Sequence, residues 1–439
     1  MNHPATPVYD TPVYTSALEA YVASAAIPLV IYGYPLTESI RTCRLQTSVA
    51  EVTGYGRAPI NALSASQRQW THEDRDIVTP ANDLLYFCGW INLADGPVTL
   101  AIPARPDPDR YFVVELLDAF TDNFINLGIR NVPATGGTYR LLGPEYSTGS
   151  DDANDVRCPT TLVWLLGRVL VNGQHDLDAA RSFQSGFAIT DHPGSRRPAC
   201  VDQWVGGDDA AIDFFQNLFA ALKEFPPAPH ELGLPALLRR VGIRIEEGVD
   251  VAGLKPVVVQ GLINAYRQGM KLVEANTRSQ FKKSWGYSLK LGKWGDDYLL
   301  RATTAMKGLG ALSADEAVYA LGDYDGDGKL LDGAHRYELR FAPGMLPPAE
   351  AFWSVSLYGK DFYFIANPIG RYAIGNRTPG LRLENDGGLV ITISHEAPAD
   401  TANWLPAPSG PFYLILRLYH PSAGFIAGQY VIPAVSRID

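Results

Sequence analysis

Residues 84–102 read LLYFCGWINLADGPVTLAI, two apolar runs separated by a turn at Gly96-Pro97. Short apolar runs that are bounded by Gly and Pro are typical of antiparallel strands. Similar runs continue from Tyr111 to Leu142, and Thr160–Val171 extends the pattern. A helical period of apolar residues precedes them, from about Ser16 to Ile31. The sequence therefore predicts an N-terminal β-domain with a leading helix over residues 1–175.

The strand pattern returns with Tyr337–Phe341 and continues to the end of the chain, which predicts a C-terminal β-domain over residues 321–439. LVITIS at residues 389–394 follows the turn Asp386-Gly387-Gly388, and Phe352–Tyr358 precedes another turn, which are both hairpin signals. We also expect short strands at Phe362–Ile365 and Leu381–Leu383. The absence of helical spacing between these runs favours a sandwich over a parallel sheet.

The section between the two β-regions, residues 176–320, has helical spacing. The clearest helices are predicted at Asp209–Phe225 and, with proline in its first turn, at Pro256–Phe281. The capping box Ser313-Ala314-Asp315-Glu316 predicts the start of another helix. The predicted fold class is mainly β with a helical connecting section (α+β), built from two antiparallel β-sandwich or jelly-roll-like domains.

Charge and cysteine content exclude several classes of protein. Lys and Arg total 37 against 47 Asp and Glu, and the net charge of −10 argues against electrostatic binding to nucleic acid. The four cysteines form no close pair that would suggest a redox motif or a zinc knuckle. The apolar stretch Tyr21–Tyr34 is shorter than the ~20 residues that span a bilayer, and no secretory signal is evident. We therefore expect a soluble cytoplasmic protein without a membrane or nucleic-acid partner.

Motifs for nucleotides, phosphates and metals are missing, apart from one acidic loop. The chain contains no Gly-x-Gly-x-x-Gly after a strand, no Walker loop and no Gly-x-Ser-x-Gly, so we expect no cofactor. Asp323-Tyr324-Asp325-Gly326-Asp327-Gly328 matches the first positions of a calcium loop, but Ala334 stands where a bidentate Glu is required. The alternatives are a calcium site and an acidic turn between strands.

Candidate site residues in the N-terminal half lie at loop-to-strand junctions and inside apolar strands. Asn82, Asp83 and Tyr86 stand where a polar loop enters the first strand; they either bind a ligand or shape the turn. Asp118 interrupts an apolar run, and a buried carboxylate there is suited to general acid–base catalysis unless it pairs with Arg110 or Arg130.

The C-terminal half contributes possible ligand-binding groups. Arg371, beside Tyr372 in a Gly-rich turn, either clamps a substrate carboxylate or ties its loop to backbone carbonyls. Trp90 and Trp353 are candidate walls of an amphipathic pocket. Trp404, between asparagine and proline, is expected to pack a rigid corner.

Several of these segments together resemble two families of unknown function. The resemblance to an N-terminal domain of unknown function, number 1254, rests on Tyr32–Leu36, Asn82–Tyr86, Asp109–Thr121 and Val163–Arg168. Ala351–Tyr358, Asn367–Tyr372 and Asn403–Tyr419 look like its usual C-terminal companion, number 1214. The resemblance implies tandem β-sandwich domains that often self-associate, and hence a homo-oligomer. Leu84 departs from the family pattern, which usually has threonine there.

Two functions remain open at the level of the sequence. The first is an enzyme that acts on a small organic substrate by cofactor-independent acid–base chemistry, as a hydrolase or lyase. In it Asp118, Asp83 and Tyr86 would be catalytic, and Asn82, Arg371, Tyr372, Trp90 and Trp353 would bind the substrate. The second is a non-catalytic small-molecule-binding or assembly protein.

Overall fold

The computed structural model describes residues 12–53, 56–75, 78–146, 152–277 and 285–439. It is a mixed α+β structure with four multi-stranded sheets. The helices are α1 (Pro12–Gln46), α2 (Leu177–Gln184), α3 (Ala199–Asp202), α4 (Ala210–Glu224), α5 (Gly233–Ala236), α6 (Pro256–Ala275), α7 (Tyr298–Lys307) and α8 (Ala423–Ile426).

The N-terminal half forms two sheets, of strand order β1-β2-β8-β4-β5 and β7-β6-β3-β9. Pairing is antiparallel except between β6 and β7. Their strands are β1 (Ser64–Ala65), β2 (Leu84–Asn92), β3 (Val98–Ile102), β4 (Phe112–Asp118), β5 (Asn123–Gly128), β6 (Gly137–Leu142), β7 (Asp155–Arg157), β8 (Leu162–Leu170) and β9 (Ala188–Asp191).

Both faces of the five-stranded sheet are covered. Leu85 and Phe87 point to a core that is shared with β3, β6 and α2, whereas the alternate residues Cys88 and Trp90 join a core formed with α1, α4 and α6. All nine residues of β8 are buried as a result. This explains why β2 and β8 are continuous apolar runs and do not alternate between apolar and polar residues.

The C-terminal half also forms two sheets, β10-β16-β12-β13 and β15-β14-β11-β17. Side chains of β10, β12 and β16 share one core with those of β11 and β14. The strands are β10 (Ala317–Gly322), β11 (Tyr337–Phe341), β12 (Ala349–Gly359), β13 (Ala373–Gly375), β14 (Leu389–Ser394), β15 (Trp404–Pro406), β16 (Phe412–Pro421) and β17 (Val435–Arg437).

The two halves contact each other through the five-stranded sheet of the N-terminal half and the sheet β10-β16-β12-β13 of the C-terminal half. Tyr111, just before β4, and Val113 of β4 pack in one cluster with Phe352 of β12 and Tyr419 of β16. The rings of Phe352 and Tyr419 stack with centroids 4.1 Å apart. A sheet presents alternate residues to opposite faces, so the other residues of these strands remain in the core of their own half. The inter-sheet contact places odd-numbered residues of β16 opposite the N-terminal sheet.

Helix α1 is longer than the predicted Ser16–Ile31, with 35 residues that include Pro28 and Pro35. It packs mainly against α6, where Gly261 and Gly269 leave room for Val22 and Val30. By length and composition alone this helix could cross a membrane. Buried core helices of soluble proteins and N-terminal signal sequences meet the same criterion.

Three local predictions are wrong. The capping box at Ser313 begins a single turn, after which β10 starts, because the main chain from Ala317 pairs with β16. Tertiary pairing therefore overrides the local helix signal, and Glu316 is buried in the contact between the two halves. Neither Phe362–Ile365 nor Leu381–Leu383 forms a strand; both are irregular. The helix predicted at Pro256–Phe281 ends at Ala275, and its predicted end at Phe281 lies outside the described residues.

Candidate functional site

A cavity of about 270 Å³ lies between the facing sheets of the two halves. Tyr86 of β2 and Arg168 of β8 line it on the N-terminal side, and Tyr319 of β10 with Arg417 and Tyr419 of β16 line it on the other. Helix α7 and the segment after it complete the wall. The apolar part of the lining includes Leu166, Leu291, Leu300, Leu309, Leu321 and Ile415.

Arg417 is a buried cation in this wall, with 2% of its surface exposed. Its Nη1 donates to Ser356 Oγ at 3.0 Å and its Nη2 donates to the carbonyl of Thr79 at 2.7 Å. Burial lowers the pKa of Arg417, but the surrounding hydroxyls, first Tyr358 and then Tyr419, raise it above its usual value. The guanidinium is therefore charged, in a region with little water.

Arg168 is the second buried cation of the wall, and it has a carboxylate partner. Its Nη1 donates to Glu115 Oε2 at 2.7 Å, and its Nη2 donates to the carbonyl of Gly310 at 2.7 Å. Burial raises the pKa of Glu115 to about 7, against the opposing effect of Arg168. Glu115 Oε1 has no hydrogen-bond partner among the described residues. Glu115 therefore binds Arg168 through one carboxyl oxygen and keeps the other without a hydrogen bond in the described structure.

The Tyr86 side chain lines the cavity, and its hydroxyl group is hydrogen-bonded to the main chain. Its hydroxyl oxygen accepts the backbone N–H of Ala81 at 2.9 Å, and the guanidinium of Arg168 lies 5.6 Å from its ring. Tyr319 also faces the cavity, and burial raises the pKa of its hydroxyl to about 12. The Tyr319 hydroxyl is therefore a neutral hydrogen-bond donor at physiological pH.

A second, more polar pocket of about 810 Å³ adjoins the cavity. The two share Trp70, Tyr86 and Leu166 in their walls. The rings of Trp70 and Tyr86 meet edge to face at 5.8 Å. Asn82 Nδ2 donates to the carbonyl of Trp70 at 2.6 Å, so that Asn82 positions the main chain of this shared wall.

Of the eight residues predicted for the site, only Tyr86 lines the cavity within the described part of the chain. Asp83 lies close to it: Ser354 Oγ donates to Asp83 Oδ2 at 2.7 Å. Burial raises the pKa of Asp83, and Ser354 and Arg417 oppose that change. Tyr86, Asn82 and Asp83 therefore belong to one region of the structure. Tyr372 packs beside it, in a cluster with Trp70 that Tyr86 also contacts.

Asp118 lies at the end of β4, away from the cavity. Its Oδ1 accepts the backbone N–H groups of Phe120 and Asp122, both at 2.9 Å. Burial, and after it the neighbouring Asp122 carboxylate, raise the pKa of Asp118 to about 7. The suggested partners are engaged elsewhere. Arg110 binds Asp176 with two hydrogen bonds, and Arg130 binds Glu316 at 2.6 Å.

Arg371 connects its own loop to the main chain of residues 401–404, and this is the structural role that was predicted as the alternative to substrate binding. Its Nη1 lies within hydrogen-bond distance of the carbonyls of Thr401, Ala402 and Trp404. The neighbouring Tyr372 hydroxyl lies 2.7 Å from His72 Nδ1. Neither residue lines the cavity within the described part of the chain.

The two candidate tryptophans are core residues. Trp90 stacks on Trp164 at 5.2 Å and donates to Gln46 Oε1 at 2.8 Å. Trp353 packs in the core between the two C-terminal sheets. Trp404 is likewise buried, and its indole nitrogen donates to the carbonyl of Ser394.

The acidic loop at Asp323 folds as a tight turn. Asp325 Oδ1 accepts the backbone N–H groups of Asp327 and Lys329, at 3.0 and 2.9 Å. Tyr324 and Leu330 form a bridge across the turn. Among the described residues no group of three or more His, Cys, Asp or Glu side chains is arranged to hold a metal ion.

Sequence reasoning missed Arg168 and Arg417, although a signal was present. Each is the single charged residue of a buried strand, in LVWLLGRVL and FYLILRLYHP. A charge inside an apolar strand was the criterion that selected Asp118, and it applied equally to these arginines. Which strand faces meet across the cavity, however, depends on the tertiary structure.

Two family models match the chain. One describes a protein of unknown function, DUF1254, and matches residues 60–191; the other, DUF1214, also of unknown function, matches residues 316–423. Together they cover more than half of the chain. The chain belongs to the tandem DUF1254–DUF1214 family. The DUF1254 region contributes Tyr86 and Arg168 to the cavity, and the DUF1214 region contributes Tyr319, Arg417 and Tyr419.

One solved structure supports the fold of this DUF1254–DUF1214 protein. The crystal structure of the VPA0106 protein from Vibrio parahaemolyticus matches with a TM-score of 0.68 and 22% identity, over 97% of this chain and 100% of that one. A putative uncharacterized protein from Burkholderia cenocepacia has a TM-score of 0.48 and 13% identity, over 99% and 91% of the two chains. None of the curated proteins compared with the chain matches it.

Proposed function

We propose that this protein binds a small, mainly apolar organic molecule in the cavity between its two halves. The observation that carries the proposal is the meeting of two buried arginines and four tyrosines with an apolar wall in one cavity. Ligand sites are commonly apolar pockets in which a few polar groups fix the orientation of the ligand. A location between two packed units is also usual for such sites.

The size of the cavity limits the ligand. At ~30 Å³ for each water molecule, the volume of about 270 Å³ corresponds to roughly nine waters. An organic molecule with a single ring or a short chain occupies a comparable volume. Leucine and isoleucine side chains supply most of the contact surface, so burial of the apolar part of the ligand would provide much of the binding free energy.

A thermal-shift screen of small organic molecules tests the proposal. A ligand that binds only the native state raises the melting temperature in a saturable way. Leu300→Trp, which fills part of the cavity from α7, should abolish the shift. Leu272→Trp, on an exposed position of α6, is the matched control and should preserve it. If a ligand stabilises the Leu300→Trp protein as strongly as the wild type, it binds elsewhere.

A second proposal, acid–base catalysis on the bound molecule by hydrolysis or elimination, is favoured by the position of Tyr86. Because its hydroxyl oxygen accepts the N–H of Ala81, the hydroxyl proton is directed away from that group. Tyr86 would be the proton donor, without a cofactor. Tyr86→Phe should retain ligand binding and lose most of the turnover. Full turnover by Tyr86→Phe would remove the tyrosine from the mechanism.

We also propose that each pair of sheets is a β-sandwich of the jelly-roll type. This interpretation is supported by the two cores, each of which combines inward-facing residues of two sheets. Self-association, expected from the family resemblance, is a further proposal. Measurement of the mass in solution by light scattering tests it.

A further inference from the structure

We propose that Arg417 binds the negatively charged end of the ligand, so that the cavity selects small organic anions with one carboxylate over their neutral counterparts. This inference rests on the proposed function and specifies its substrate class. It follows from the charges that face the cavity.

The charge on Arg417 has no counter-ion in the described structure. No described carboxylate lies within the 4.0 Å of an ion pair with this residue. Asp83 is the carboxyl group whose charge interacts with Arg417, but its Oδ2 accepts a hydrogen bond from Ser354 and it does not lie within ion-pair distance of the guanidinium. A buried cation without a partner is costly, since it has lost its hydration without gaining an ion pair. An anionic ligand would compensate this charge.

The other two cations of the cavity wall already have carboxylate neighbours. Arg168 forms an ion pair with Glu115 at 2.7 Å, and Lys307 Nζ lies 3.9 Å from Asp323 Oδ1. Each therefore contributes little net charge to the cavity. The described wall has an excess of about one positive charge, at Arg417, which matches a ligand with one negative charge.

The geometry of Arg417 suits a carboxylate. Guanidinium groups carry five N–H donors, and Ser356 and Thr79 accept two of those of Arg417. Donors therefore remain for a ligand, in the planar arrangement that binds a carboxylate with two parallel hydrogen bonds. The hydroxyls of Tyr86 and Tyr319 are possible donors on the same cavity wall. A wall of donors selects a ligand that accepts hydrogen bonds.

The rest of the ligand is defined by the apolar wall. Leu166 and Ile415 extend from the same two strands as the arginines, and Leu300 and Leu309 contribute from α7 and the segment after it. A carboxylate on an aromatic ring or on a short alkyl chain would place its charge at Arg417 and its carbon atoms against these leucines. Benzoate, phenylacetate and hexanoate are suitable probes of this class.

Titration of the purified protein with each acid and with its amide tests the inference. Benzamide, phenylacetamide and hexanamide have nearly the same shape as the acids but no charge. We expect at least one acid to bind, as measured by calorimetry or by a saturable thermal shift, and its amide to bind at least tenfold more weakly. Arg417→Met should remove this preference, and Arg417→Lys, which keeps the charge, should retain part of it.

Arg382→Met is the control, because it removes an exposed arginine of the same half that pairs with Asp400. It should bind the acid as the wild type does. Equal binding of acid and amide to the wild type would overturn the role of Arg417 and leave the cavity as a ligand site. Failure of all six probes to bind would overturn the inference together with the proposed function. Should Arg417→Met not fold, the wild-type comparison of acid with amide decides alone.

Discussion

Individual carboxyl groups in this protein differ in their effect on stability because their surroundings differ. Asp118 and Glu115 are both buried, but the first accepts backbone N–H groups whereas the second pairs with a cation. Glu316 shows the opposite pKa shift. Burial would raise its pKa, but His420, Tyr111 and Arg130 lower it below the usual range. The three groups therefore give different predictions on substitution.

Replacing Asp118 should change how stability depends on pH. Its pKa is raised in the native state, so its contribution is fully present below the unfolded value, ~3.9, and is lost as the pH rises through about 7. The free energy of unfolding of Asp118→Asn, compared with that of the wild type, should therefore be higher at pH 8 than at pH 5. Urea unfolding at both pH values measures this. Asp178→Asn, at an exposed position, should show no such difference; an equal effect of Asp118→Asn at both pH values would contradict the prediction.

Removing Glu115 should leave the charge of Arg168 uncompensated. Breaking a buried ion pair from one side typically costs ~3–5 kcal/mol, whereas replacing both partners by apolar residues costs much less. We expect Glu115→Gln to lose stability in this range and the double variant Glu115→Leu/Arg168→Met to recover part of it. Chemical unfolding of the single and double variants measures the difference. Simple addition of the two single effects would show that the residues act independently.

The packing of α1 against α6 depends on two glycines of α6, Gly261 and Gly269. A Cβ atom at Gly261 would lie 2.6 Å from Val22 Cβ and 3.0 Å from the carbonyl oxygen of Glu19. Alanine is the better helix former by ~1 kcal/mol, but overpacking costs ~1–3 kcal/mol. Because backbone atoms of α1 are involved, we expect the steric effect to win.

Gly261→Ala should therefore lower the free energy of unfolding by ~1–2 kcal/mol. Gln260→Ala is the matched control on the exposed face of the same helix, and it should change stability by less than ~0.5 kcal/mol. The measurement is chemical unfolding of both variants. A Gly261→Ala protein more stable than the wild type would show that α1 shifts easily, and that helix propensity dominates.

The strands were largely predictable from the sequence, because apolar runs and turns define them locally. Val98–Ile102, Tyr337–Phe341 and Leu389–Ser394 have the predicted bounds. The helix predicted from the capping box at Ser313 does not form, because the following residues pair with β16, more than ninety positions away along the chain. The candidate site was harder to predict. Tyr86 was identified from the sequence. Arg168 and Arg417 were not, because they come together only where a sheet of one half faces a sheet of the other.

Buried polar groups of the two halves bind each other, and leaving any of them without its partner would be costly. Glu316 Oε1 accepts the Tyr111 hydroxyl at 2.7 Å and lies 2.9 Å from His420 Nε2. Tyr111 immediately precedes β4 in the N-terminal half, and His420 belongs to β16 of the other. The same contact surface borders the cavity at Tyr419. The cavity therefore keeps its shape only while the two halves remain packed, and ligand binding should stabilise both together.

Replacing Glu316 should weaken the packing of the halves. Glu316→Ala leaves Tyr111 and His420 without their acceptor and Arg130 without its closest carboxylate, so we expect a loss of ~2–4 kcal/mol. Because the lost contacts join the two halves, unfolding followed by near-ultraviolet circular dichroism and by calorimetry should become broader or separate into two transitions. Asp315→Asn, at the exposed neighbouring position, should leave a single sharp transition. Retention of that sharp transition at lower stability in Glu316→Ala would show that the apolar cluster around Phe352 and Tyr419 is sufficient to couple the halves.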